Sequence, residues 1–152
     1  MITTPQIFEM ELKVTSSDLD EQNHVNNVQY VQWIQDVAKG HWEDRASASQ
    51  KEKFFWVVVR HEIDYKQQAF LDDLIILQTY VDEITNVTSI RHVLIKNKKN
   101  DKILAKAKTT WCLMSHDSKR PARIDENMKV LFQQKSNSVS YTHLTLPTTP
   151  YV

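Results

Sequence analysis

The chain has a single glycine, Gly40, in 152 residues. Phosphate-cradling loops and dinucleotide turns need several positions without a Cβ for close backbone approach, so P-loop and Rossmann sites are excluded. The single cysteine, Cys112, permits no internal disulfide and no zinc site built on paired cysteines. His61-Glu62 does not open a zinc-protease motif either, because Tyr65 stands where the second histidine belongs. No metal or other cofactor is expected. Charge of one sign is missing too: nineteen Lys and Arg offset nineteen Asp and Glu, so the basic excess of a general nucleic-acid binder is absent. The longest apolar run, Phe54 to Val59, is six residues, against the about 18 that a membrane-spanning helix needs. The first residues carry no basic-then-apolar leader pattern. The expectation is one soluble, cytoplasmic domain, with neither nucleic acid nor membrane as partner.

What is present is periodic. Residues 7–14 alternate Phe8, Met10, Leu12 and Val14 with Glu9, Glu11 and Lys13, the pattern of a half-buried strand. A polar stretch without period follows, and helical spacing then runs from Val25 to about Arg45. On that helix Tyr30, Val31, Trp33, Ile34, Val37, Ala38, His41 and Trp42 cover about half the circumference. A helix on a flat surface needs an apolar arc of only about 100°, so this one is expected to be wrapped by a curved sheet. Gly40 falls near the edge of the polar arc, where it lowers helix propensity.

Four further strands are predicted over 54–66, 73–84, 87–97 and 102–114. In the first, Phe55, Val57, Val59, Ile63 and Tyr65 read as the inward face. Thr85-Asn86 marks a short hairpin, Pro121 stops extended structure, and Asp125 caps a short helical segment carrying Met128, Leu131 and Phe132. The fold class is α+β: an antiparallel five-stranded sheet around one long central helix. Residues 1–135 form the domain. Residues 136–152 are rich in Ser and Thr, hold Pro147 and Pro150, and lack any period, so they read as a disordered or non-native tail.

The chemistry concentrates just ahead of the helix, in Asp18-Leu19-Asp20-Glu21-Gln22-Asn23-His24-Val25-Asn26-Asn27. A carboxylate, a histidine and the free N–H groups of a helix start suit acyl hydrolysis. The same residue types also cap helices, and Asn26 with Gln29 has capping-box spacing. Composition by itself favours the caps.

DLDEQNHVNNVQYVQW resembles the signature D-x-D-x-x-x-H-V-N-N-x-x-Y-x-x-W of hotdog-fold acyl thioesterases, the group that holds acyl-ACP thioesterases and the 4-hydroxybenzoyl-CoA thioesterase and YbgC-like enzymes. The likeness extends more loosely over about residues 5–133. It implies the hotdog fold and hydrolysis of an acyl-CoA or acyl-ACP thioester. It places Asp20 on the catalytic base or nucleophile and His24 on an assisting histidine. Asn23, Asn26, Asn27, Tyr30 and Trp33 become candidate substrate-binding residues. Neither branch is matched throughout: Asn23 replaces a glycine of one, Gln22 an asparagine of the other, and Gln68 and Ala69 stand where the plant enzymes have Glu and Cys. Hotdog sites generally lie between protomers, which implies a homodimer or homotetramer.

Other candidates weigh less. Consecutive Ser115-His116-Asp117 reads as a turn, since a triad is assembled from separate segments. Cys112 reads as an inert buried thiol. Lys96, Lys98, Lys99 and Lys102 suit either a solvated turn or coenzyme A phosphates. Two other functions fit the same fold: a non-catalytic acyl-CoA-binding or regulatory module, and an enoyl-thioester hydratase.

Overall fold

A computed structural model describes residues 4–134. The expectation for the 136–152 tail lies outside the described residues. Five strands form one antiparallel sheet: β1 (Phe8–Lys13), β2 (Phe54–Tyr65), β3 (Leu74–Ile84), β4 (Thr88–Asn97) and β5 (Ile103–Ser115), in the spatial order β1-β3-β4-β5-β2. The chain crosses from one sheet edge to the other through α1 (Asn27–Arg45) and the short α2 (Ala48–Lys53), and a last turn, α3 (Glu126–Lys129), closes the far end. The sequence reading lacks α2, which has no apolar period. Its start was written in Ser47 and Gln50, which form a capping box, with Ser47 Oγ accepting from the Gln50 N–H at 3.1 Å. Asp125 caps α3 as expected, accepting from the Met128 N–H at 2.9 Å.

Helix α1 buries Tyr30, Trp33, Ile34, Val37, Ala38, His41 and Trp42 and packs mainly on β1, β3 and β4. Opposite it, Ile75, Leu77, Val93, Ile95 and Ala105 form the core face of the sheet. Burying each such aliphatic side chain contributes on the order of 1.5–3 kcal/mol.

Gly40 has a packing role that propensity conceals. A Cβ there would lie 3.0 Å from Met10 Sδ and 3.1 Å from Phe8 Cε2, so the glycine lets β1 approach the helix. The inward face of β2 also needs correction. Pairing with β5 shifts register between Val58 and Arg60, leaving Val59 as an exposed bulge residue. Strict period two predicts Phe55 and Val57 on the face of Ile63. The extra residue reverses that parity, and Phe54 and Trp56 pack inward instead, beside Trp42 and Leu113.

Candidate active site

The polar loop ahead of α1 is a tight, self-bonded reversal. Leu19 bridges Val25 in antiparallel fashion, the Asp20 N–H donates to the His24 carbonyl at 2.7 Å, and the Asn23 N–H donates to the Asp20 carbonyl at 3.1 Å. Asn23 sits at φ 63°, in the left-handed region that asparagine tolerates better than most residues. This explains why a non-glycine residue fits there. Asp20 Oδ1 accepts from the main-chain N–H of Gln22 at 2.8 Å and of His24 at 3.1 Å. Oδ2 of Asp20 has no hydrogen-bond partner among the described residues. The aspartate is half-buried, so a rigid scaffold presents one free carboxylate oxygen.

The loop rests on the connection between β2 and β3. The Val25 N–H donates to the Ala69 carbonyl at 2.9 Å, and the half-buried His24 ring meets Phe70 edge-on at 5.3 Å between centroids. Ala69 is fully buried, which suits a methyl where a reactive side chain would need room. Tyr30 donates from its hydroxyl to the Gln67 carbonyl at 3.0 Å. Burial pushes its phenol up to about 12, so it stays neutral.

Asn26 caps α1: its Oδ1 accepts from the Val28 N–H at 2.9 Å, and its carbonyl accepts from the Gln29 N–H at 2.8 Å. Among the described residues the Asn27 N–H donates to no group, which leaves an unspent donor at the helix start. Gln29 does not close a capping box. With its amide turned to satisfy both neighbours, it accepts from Trp33 Nε1 at 3.0 Å and donates to Asp18 Oδ1 at 3.3 Å.

The candidate residues therefore fall into two layers. Asp20, Asn23, His24, Asn26 and Asn27 share the loop and helix start, whereas Tyr30 and Trp33, at 1% and 3% exposure, belong to the core beneath. Asp20 meets the backbone of His24, and no bond joins the two side chains. Elsewhere, Ser115-His116-Asp117 forms a turn with His116 packed on Phe55 at 4.7 Å, and Cys112 is buried. Two of the four lysines are paired, Lys96 with Asp101 and Lys98 with Glu11, each at 2.8 Å.

Sequence reasoning missed a second polar cluster, below the C-terminal half of α1. Arg91 Nη1 lies 3.0 Å from both His41 Nδ1 and Thr79 Oγ1, and His41 Nε2 lies 2.7 Å from Gln6 Oε1. Burial first, then the Arg91 and Arg45 charges, push His41 down to about 2. The imidazole is neutral, accepting from Arg91 at Nδ1 and donating to Gln6 from Nε2. A signal existed: period two in β4 puts Arg91 on the inward face with Ser89, Val93 and Ile95.

A long helix enclosed by one antiparallel sheet, with a carboxylate-bearing loop at its start, is the hotdog fold found in thioesterases. The chain belongs to the acyl-ACP thioesterase family, matching its N-terminal domain over residues 5–132. Thioester hydrolysis is the general chemistry of that family. A long-chain acyl-CoA thioesterase of Escherichia coli, FadM, is 20% identical over 135 residues, covering 84% of this chain and 98% of the relative. The structure of a 1,4-dihydroxy-2-naphthoyl-CoA thioesterase from Synechocystis superposes with TM-score 0.73 at 16% identity, over 83% of this chain and 95% of that one. A Staphylococcus aureus protein solved in complex with CoA gives TM-score 0.75 at 14% identity, over 96% and 92%. Among the described residues no helix is long and apolar enough to cross a membrane.

Proposed function

We propose that the protein hydrolyses an acyl-CoA or acyl-ACP thioester at the loop ahead of α1, with Asp20 as the reacting carboxylate and His24 assisting. The observation that carries this reading is the asymmetry of Asp20: Oδ1 is spent on two main-chain N–H groups, and Oδ2 is free among the described residues. A carboxylate held on one side and open on the other either takes the proton of an attacking water or attacks the thioester carbonyl itself. The first route forms the new C–O bond from water. The second forms an anhydride that water then opens. Both end in free acid and thiol. In this reading the Asn27 N–H, without a partner among the described residues, donates to the developing oxyanion. His24 delivers a proton to the departing thiolate. Asn23 and Asn26 shape the loop, and Tyr30 and Trp33 support it from below.

The active unit is a homo-oligomer. β2 is a sheet edge of twelve residues whose bulge leaves Val59 at 58% exposure, and an unpaired edge of that length favours pairing with a second copy. The likeness in fold to a protein solved with CoA, and in sequence to the long-chain acyl-CoA thioesterase FadM, supports an acyl-CoA substrate, and the family description supports acyl-ACP. A panel of acyl-CoA and acyl-ACP substrates scored for released thiol tests the proposal. Thiol release from one carrier class establishes hydrolysis and names the carrier. Binding of the whole panel without thiol release would leave the non-catalytic module as the correct reading.

A further inference from the structure

A cavity of about 500 Å³ opens between the helices α1 and α2 and the strands β2, β4 and β5. Its walls include Trp42 from α1, Phe54 and Trp56 from β2, Ser89 and Arg91 from β4, and Trp111 from β5. Three indoles and the phenyl rings of Phe54 and Phe55 supply its aromatic wall, and the cations Lys39 and Lys51 line it together with the carboxylates Asp36 and Glu43. At one wall stands a guanidinium that is 5% exposed.

That arginine has no acidic partner among the described residues. Nη1 is committed to His41 and Thr79, both neutral, and no described group accepts from Nε or Nη2. Phe132 covers another side, with the guanidinium carbon 5.4 Å from the ring centroid. A buried charge normally has a counter-ion, because desolvation is costly and neutral partners compensate it only in part. A second donor on the same cavity wall is also unsatisfied: Trp56 Nε1 is buried without a hydrogen-bond partner.

We propose that this cavity binds an organic carboxylate, with the charged oxygens on Arg91 and the apolar body against Trp42, Trp56 and Phe54. The guanidinium fork matches the planar carboxylate in shape and charge. The aromatic walls demand a hydrocarbon or aryl body, which inorganic anions lack. The cavity lining includes no residue of the Asp20 loop, and binding there does not depend on the hydrolytic reading. Failure of thiol release leaves it standing, and its own failure leaves hydrolysis standing.

The test is a titration of the intact protein followed by tryptophan fluorescence, using octanoate, octanamide and inorganic phosphate as probes. Octanoate should change the indole emission and bind about tenfold or more tighter than octanamide, with phosphate inert. Arg91→Met should abolish the preference for octanoate. Because that substitution also breaks the contacts with His41 and Thr79, Ser89→Leu serves as a second variant: it fills the cavity, leaves the guanidinium, and should weaken octanoate in the same way. Two CoA thioethers, one with an octyl chain and one with an ω-carboxyoctyl chain, identify the source of the carboxylate. Preference for the carboxylated thioether assigns it to the far end of an acyl substrate, and response to octanoate alone assigns it to a free acid. Equal affinity for octanoate and octanamide, or an emission change produced by phosphate alone, overturns the proposal.

Discussion

Asp20 Oδ1 accepts a hydrogen bond from the main-chain N–H of His24 at 3.1 Å, so the carboxylate is held by the histidine's backbone and not by its ring. The hold on Asp20 therefore does not run through the imidazole, whose own contact is with Phe70 at 5.3 Å. The loop does need an acceptor at position 20, where the N–H of Gln22 is also satisfied.

This separates fold from chemistry at the loop. Asp20→Asn retains an acceptor oxygen, so it should fold normally while thiol release falls by about a hundredfold or more. Asp20→Ala loses the acceptor as well and should also cost about 1–2 kcal/mol of stability. His24→Ala should slow hydrolysis by about a hundredfold and keep a near-native melting temperature. Chemical denaturation beside a thiol-release assay reads both effects. A folded Asp20→Asn protein with wild-type turnover would remove Asp20 from the chemistry.

Gly40→Ala sets two effects against each other. Helix propensity gains about 1 kcal/mol, but the new methyl meets Met10 Sδ at 3.0 Å and Phe8 Cε2 at 3.1 Å. Met10 can yield. Phe8 is stacked on His41 at 5.2 Å and has less freedom. Overpacking of this kind costs about 1–3 kcal/mol, so the variant should be less stable in urea unfolding. A stabilised variant would mean that β1 moves aside.

His41 makes stability depend on pH. It is fully buried, and its folded pKa of about 2 lies below the ordinary 6.5. Between those values the unfolded chain holds the extra proton, so stability falls as pH drops below about 6.5 and is fully present above it. The slope from one proton is at most about 1.4 kcal/mol per pH unit. His41→Gln keeps one acceptor and one donor, and should flatten the difference between urea midpoints at pH 5 and pH 7. An undiminished difference in that variant would assign the acid sensitivity to other groups.

The family match ends at residue 132, and Phe132 is buried at 1% exposure. Deleting residues 136–152 should therefore leave melting temperature and thiol release unchanged. A loss of several degrees would show that the segment packs on the domain.

Alternation and helical spacing are local properties, and they carried most of the fold. The five strands, α1 and its inward face, the short hairpin at Thr85-Asn86 and the Asp125 cap were all legible, because burial must repeat every two or about 3.6 residues. The grouping of Asp20 to Asn27 in one loop and helix start was legible as well, since its members are neighbours in sequence. Tertiary structure decided what depends on pairing across distance. The β1-β3-β4-β5-β2 order and the bulge at Val59 arise from strand partners, and the bulge reverses the parity that puts Trp56 inside. Gly40 reads as a propensity cost until β1 is laid against it. Which oxygen of Asp20 is spent, and that Tyr30 and Trp33 lie in the core rather than at the surface, follow from the docking of the loop on residues 67–70. The chamber around Arg91 is the clearest case. It joins α1, β2, β4 and β5, segments far apart in the chain, and only their packing leaves a buried cation facing three indoles.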